Sequence, residues 1–169
     1  MWFYRWRVSR LHRQLGIDGY AARGLPLQSC ARNLVAVPGS AHLRMTKETL
    51  ERWLAMKDAA STDHVDLRCF NAFRSLEDQV RVIRGLLRTQ TMPEVLLRAA
   101  APGYSEHHTG RALDIGTTGC FPPTPEFENT PAFRWLATNA VQYGFVLSYP
   151  RGNPHGIIFE PWHWLQSAT

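Results

Sequence analysis

The spacing of apolar residues along this chain changes several times, and each change predicts an element. Downstream of Thr46, residues Leu50, Trp53, Leu54 and Ala60 fall on roughly one helical face, and Thr46 carries the hydroxyl of an N-cap, so a helix is expected to about Ala60. Over residues 63–73 the period drops to two: Val65, Leu67, Cys69 and then Ala72 or Phe73 alternate with polar neighbours, as in a half-buried strand. Ser75 and Asp78 have the spacing of a capping box, and Leu76, Val80, Ile83 and Leu87 follow at helical intervals. Residues 89–105 read as a lid-like connection with a short helix around 94–100. Residues 111–116 are short, apolar and glycine-flanked, which suits a central strand. Thr130 and Pro131 open a further helix that Gly144 ends. Residues 145–149 and 156–162 are expected as two strands joined by the turn PRGNPHG. Helices come first and short strands cluster late, which predicts an α+β fold with a small central antiparallel sheet flanked by helices.

Composition adds one asymmetry. At 169 residues, 44% hydrophobic and 20% charged, the chain is long enough for one ordinary domain and too apolar for a disordered one. Its net charge of +5 invites a nucleic-acid reading, but residues 1–44 hold seven arginines against the single acid Asp18, a net +6, while residues 45–169 are at −1. The expectation is therefore a basic N-terminal extension, 1–44, on a near-neutral domain, 45–169, the part that carries the candidate chemistry below. No nucleic-acid partner is expected. Trp2, Phe3, Tyr4 and Trp6 among the arginines leave a weak contact between residues 1–44 and an anionic membrane as a further partner. Arginines also interrupt any apolar stretch of a secretory signal, so a cytoplasmic location is expected, with the cell envelope or periplasm as the alternative for a trimmed chain. Cys30, Cys69 and Cys120 show no C-x-x-C spacing and read as reduced thiols.

Two segments concentrate chemistry: Ser105-Glu106-His107-His108-Thr109-Gly110-Arg111-Ala112-Leu113-Asp114 and Glu160-Pro161-Trp162-His163. A catalytic zinc ion takes three imidazole or carboxylate ligands and keeps one position open. His107 and Asp114 stand seven apart across a glycine-containing bend, which can return both side chains to one point. Asp114 sits among Ala112, Leu113 and Ile115, where a carboxylate is costly without a partner or metal. His163 is the third candidate, and His108 beside His107 leaves the choice of imidazole open on chemistry alone. Glu160, three residues before His163, is the candidate base for water, and Arg74, between a strand and a helix, the candidate cation for an oxyanion.

The spelling of these segments carries a resemblance. SEHHTGRALDIG, then YGFVLSYP and GIIFEPWHW, resemble the VanY-type D-alanyl-D-alanine carboxypeptidases, zinc peptidases of the superfamily that includes lysostaphin-like endopeptidases, VanX dipeptidases and hedgehog domains. That family shows S-E-H-Q-T-G-x-A-x-D, an upstream Y-R-S…Q and a terminal E-P-W-H. Here the upstream piece is Phe73-Arg74-Ser75 with Gln79, and the resemblance covers roughly residues 45–165. It implies a hedgehog/D-Ala-D-Ala-peptidase-like fold, with His107, Asp114 and His163 as ligands of one Zn2+ ion per chain. It also implies Glu160 as base and Arg74 as the residue that stabilises the tetrahedral intermediate. Ser105, Gln79, Ser75 and Tyr149 are the implied substrate contacts. His108 departs from the usual Gln, Phe73 from Tyr, Ser148 from an Arg before Tyr-Pro, and Leu165-Gln166 from Arg-Tyr.

The implied activity is removal of the C-terminal D-Ala from peptidoglycan stem peptides by a monomer. In the cytoplasm a D,D-carboxypeptidase would attack the pentapeptide precursors of wall synthesis, so an L,D-carboxypeptidase acting on tetrapeptides in murein recycling is favoured over it. A zinc-binding, non-catalytic interaction module is the alternative from another class, against which the retention of Glu160 and Arg74 argues. An endopeptidase is disfavoured by the lack of a wall-binding domain.

Overall fold

Thr46 does cap a helix: its hydroxyl accepts from the Thr49 N–H at 3.2 Å, and α2 runs Lys47–Thr62 in the computed structural model, which describes residues 2–167. Its buried face is Thr49, Trp53, Met56 and Ala60; Leu54 turns to solvent, because Met56 is the residue that continues the ridge from Trp53. Ser75 and Asp78 close the expected capping box, and α3 (Leu76–Leu86) buries Leu76, Gln79, Val80 and Ile83. The short lid helix α4 spans Met92–Arg98. Thr130 caps α5 (Pro131–Asn139), which tightens into a 3₁₀ turn at Ala140–Tyr143 before Gly144.

Four short strands, β3 (Arg68–Asn71), β4 (Ala112–Gly116), β5 (Phe145–Leu147) and β6 (His163–Gln166), form an antiparallel sheet in the order β3-β4-β6-β5. Every residue of β4 is buried, as a central strand requires. Its register sets Asn71, Asp114 and His163 opposite one another across three strands, so their side chains share one face. Leu113 and Ile115 point to the other face and pack with Trp53, Met56, Phe127, Leu136, Phe145 and Trp164. Burying each such aliphatic or Phe side chain contributes ~1.5–3 kcal/mol.

The α+β expectation holds, with local corrections. The strand expected over 63–73 pairs only at Arg68–Asn71, and its ladder shifts register between Cys69 and Asn71. Residues 156–162 are not a strand. Pro161 has no N–H to give a ladder, the Ile158 N–H goes to Leu97 of α4, and the His163 N–H turns back to Glu160, so the last strand starts only at His163. The loop-like stretch before Thr46 also hides a hairpin, β1 (Leu34–Ala36) against β2 (Arg44–Thr46). Cys30, Cys69 and Cys120 are free and half-buried.

Residues 2–44 are woven into the domain rather than appended to it. Helix α1 (Trp2–Leu15) buries Val8, and Ile17, Tyr20 and Leu25 join a second core with Ile83, Val95, Ala99, Ala101, Tyr149 and Ile157. The Arg23 guanidinium donates to the carbonyls of Leu96, His155 and Gly156, tying this segment to α4 and to the loop before Glu160. The boundary at 44 and 45 falls inside β2. If this packing holds the fold, Tyr20→Ala lowers unfolding stability by about 3 kcal/mol in a denaturant titration; a loose extension would show no change.

Candidate metal centre

The row Asn71, Asp114, His163 lies on the sheet face away from the Leu113 core, and His107 joins it from the 3₁₀ turn Glu106–Thr109. Gly110 ends that turn at φ +67, and a Cβ there would stand 2.7 Å from Leu34 Cδ2, so the reversal between His107 and Asp114 requires glycine both for its φ and for its size. His107 Nε2 lies 3.3 Å from Asp114 Oδ1, and His163 Nδ1 lies 3.2 Å from the same oxygen. The three donor atoms all lie within 4.8 Å of one another, and all three residues are buried. A tetrahedron with ~2.0 Å bonds has edges of about 3.3 Å, so this donor set fits an ion of zinc size and ligand preference.

Each of these side chains is also held from outside. His107 Nδ1 donates to the Ala72 carbonyl at 2.6 Å, which leaves the Nε2 lone pair facing Asp114. His163 Nε2 donates to Glu106 Oε2 at 2.9 Å, which turns Nδ1 toward Asp114. Asp114 Oδ2 accepts from Asn71 Nδ2 at 3.0 Å and has the Arg74 guanidinium at 3.9 Å. Such outer contacts fix tautomer and ring orientation. Glu106 and Asn71 were invisible to sequence reasoning as partners. Glu106 does sit inside the S-E-H motif, but Asn71 is recruited by strand register alone.

The electrostatics follow from the packing. Burial disfavours a charged His163, yet its hydrogen bonds to Asp114 and Glu106 prevail and raise its pKa to about 10. Burial would raise Asp114, but His107 and His163 hold it well below the usual carboxylate range. Burial lowers His107, with only partial opposition from Asp114. Burial raises Glu160 to about 7, against the attraction of His163. The turn that ends on the His163 N–H folds Glu160 back, so its Oε2 lies 3.9 Å from His163 Nδ1.

The neighbouring imidazole resolves differently. His108 Nε2 accepts from the Gly103 N–H at 3.0 Å and Nδ1 donates to the Arg74 carbonyl at 2.6 Å, so both nitrogens are spent away from the donor cluster. A neutral imidazole thus supplies one donor and one acceptor, as the amide of the family's usual Gln can.

A cleft of about 340 Å³ opens over the centre, lined by Arg74, Ser105, Tyr149, Glu160 and Trp162 among others. The amide of Gln79 is committed at both ends: its oxygen accepts from Arg74 Nη1 at 2.9 Å and its nitrogen donates to the Ala100 carbonyl at 2.7 Å. Gln79 therefore orients Arg74. The Ser75 hydroxyl is engaged with Asp78 in the α3 cap and does not line the cleft. The Tyr149 ring lies 4.9 Å from that of His163, and burial pushes its phenol upward. Gln90 and Arg98 also line the cleft, and no sequence motif pointed to either.

The protonated His163 makes metal uptake a competition with protons. Raising pH from about 6 to about 8 is therefore expected to tighten Zn2+ binding and to release protons on binding, measured by calorimetry in buffers of different ionisation enthalpy. Glu106→Gln is expected to weaken Zn2+ about 10–100-fold in the same titration.

The family model described as VanY: D-alanyl-D-alanine carboxypeptidase matches residues 42–167. The D-alanyl-D-alanine carboxypeptidase of Enterococcus faecium is 31% identical over 125 residues, covering 72% of this chain; the chain spans only 37% of that relative's length. Among solved structures, the LdcB LD-carboxypeptidase has a TM-score of 0.72 at 26% identity, covering 83% of this chain and 71% of that one. The vancomycin-resistance D,D-pentapeptidase VanY in complex with Zn(II) has a TM-score of 0.68 at 24% identity, covering 85% and 83%, a likeness of fold. With both motifs inside the matched span and the same fold around them, the chain belongs to the VanY D-alanyl-D-alanine carboxypeptidase family.

Proposed function

We propose that this protein is a zinc carboxypeptidase that releases the C-terminal D-Ala of peptidoglycan stem peptides. The observation that carries this reading is the convergence of His107, Asp114 and His163 beneath a cleft, with the Glu160 carboxylate 3.9 Å from His163. His107, Asp114 and His163 would hold the ion, which when bound would supply Lewis-acid polarisation of the scissile carbonyl. Glu160 takes a proton from the attacking water and returns it to the leaving amine of D-Ala. Burial raises its pKa to about 7, and a cation held by the three ligands would bring it down, favouring the base form at neutral pH. Arg74, oriented by Gln79, neutralises charge that develops on the carbonyl oxygen.

The bond we assign is the L,D bond of tetrapeptides, as in murein recycling. A D-Ala before the scissile bond fills only a methyl-sized space, whereas this cleft is also lined by Val82, Leu86, Gln90 and Arg98, which suits a long diamino-acid side chain. The Gln90 Oε1 is buried with no hydrogen-bond partner among the described residues, an acceptor suited to an amine. Arg98 is exposed and makes no ion pair among the described residues, a cation suited to a carboxylate. The likeness to LdcB supports the same choice. The D,D reading is favoured instead by the Enterococcus faecium relative.

Product masses from defined tetrapeptide and pentapeptide muropeptides, with and without chelator, decide between them. Chelator-sensitive loss of D-Ala from the tetrapeptide is expected; loss from the pentapeptide alone overturns the L,D assignment. Glu160→Gln is expected to keep Zn2+ while kcat falls about 10²–10⁴-fold. For Arg74→Ala, a fall in kcat of about 10²–10³-fold is expected at unchanged metal content.

A further inference from the structure

Helix α1 presents an outer face that the peptidase chemistry does not use. Its inner side is fixed: Val8 is buried against Gly103, Tyr4 donates to the Gln28 carbonyl at 2.7 Å, and His12 Nε2 lies 2.7 Å from the Pro102 carbonyl oxygen. On the opposite side Trp2, Trp6, Phe3, Arg10 and Arg13 fall within an arc of about 100° centred away from Val8. Trp2 and Phe3, at 78% and 67% exposure, are the two most exposed large hydrophobic residues among those described, and Trp6 beside them is at 43%. The Phe3 and Trp6 rings stack at 5.9 Å, and the Arg10 guanidinium lies 5.7 Å over Trp6, so the rings and cations form one patch.

Its charge is one-sided. The helix carries four arginines and no acid; Arg7 pairs with Glu77 of α3, while Arg5, Arg10 and Arg13 make no ion pair among the described residues. Contiguous exposed aromatic area on a soluble surface marks an interaction site. Tryptophan and phenylalanine interleaved with arginine on a surface helix match the boundary between headgroups and acyl chains. No helix among the described residues is long and apolar enough to cross a bilayer, so α1 can lie on one but not span it. A nucleic acid fits less well: its backbone needs a track of cations, and beyond residue 44 the net charge is −1.

We propose that the outer face of α1 docks this protein on an anionic lipid bilayer, with Trp2, Phe3 and Trp6 entering the interface and Arg10 and Arg13 meeting acidic headgroups. Because the inner side of α1 packs on the loop through Pro102 and Gly103 that leads to Ser105 and His107, docking holds the catalytic domain in one orientation to the surface.

The full chain, mixed with vesicles of phosphatidylcholine alone or with an equal part of phosphatidylglycerol, is expected to sediment with the anionic vesicles only. Its tryptophan emission shifts to shorter wavelength, and both signals fade as salt is raised. Arg10→Gln and Arg13→Gln each weaken partition about fivefold, and a Trp2→Ser, Trp6→Ser double variant loses the emission shift. Hydrolysis of soluble muropeptides is unchanged in all three, since none of these residues lines the cleft. The proposal is overturned by no sedimentation with anionic vesicles, by variants that bind like the parent, or by binding to a single-stranded oligonucleotide without binding to vesicles.

Discussion

A carboxylate in the middle of a buried strand is the constraint around which this molecule is arranged. Asp114 occupies the third position of β4, flanked by apolar residues that complete the core, and only 6% of it reaches solvent. Left alone, an ion so placed would cost several kcal/mol of desolvation. Every neighbouring element answers that cost. The strand on one side brings Asn71, the strand on the other brings His163, and the 3₁₀ turn above brings His107, while Arg74 approaches from the start of α3. The imidazoles that compensate this buried charge are the same groups that, with Asp114, form a donor set fitting a metal ion.

That constraint propagates outward in layers. His107 and His163 are imidazoles with two nitrogens, and orienting one nitrogen inward requires a partner for the other, hence the Ala72 carbonyl and Glu106. Arg74 needs its own support, which Gln79 supplies from a fully buried position tied in turn to the lid at Ala100. The lid is held by residues 17–25 through the second core and through Arg23. A basic segment that looks detachable by composition is therefore part of the frame behind the cleft, and its unused outer face is the surface left for contact with something else.

Legibility from the sequence varied with the range of the interaction. The caps at Thr46, Ser75 and Thr130 are bonds within three residues, and these were readable because their partners are local. The motif residues were readable because family spelling preserves them. Residues 156–162 misled because an apolar run bounded by glycine looks like a strand, whereas Pro161 and a bond to Leu97 turn it into a loop. Leu54 misled because a helical face has a width that periodicity does not resolve, and the packing chose Met56 instead.

What the sequence alone determined was the α+β class, the helix starts and the residue types able to bind and activate at a metal. Each of these is set by local hydrogen bonding, hydrophobic period or side-chain chemistry. What only the tertiary structure decided was which groups meet: Asn71 with Asp114, Glu106 with His163, Gln79 with Arg74, and His108 turned away to Gly103 and Arg74. Those pairings depend on strand register and on the angle at which a turn delivers its side chains. A register shift of one residue would point Asp114 into the core, and no local pattern in the chain reports that choice.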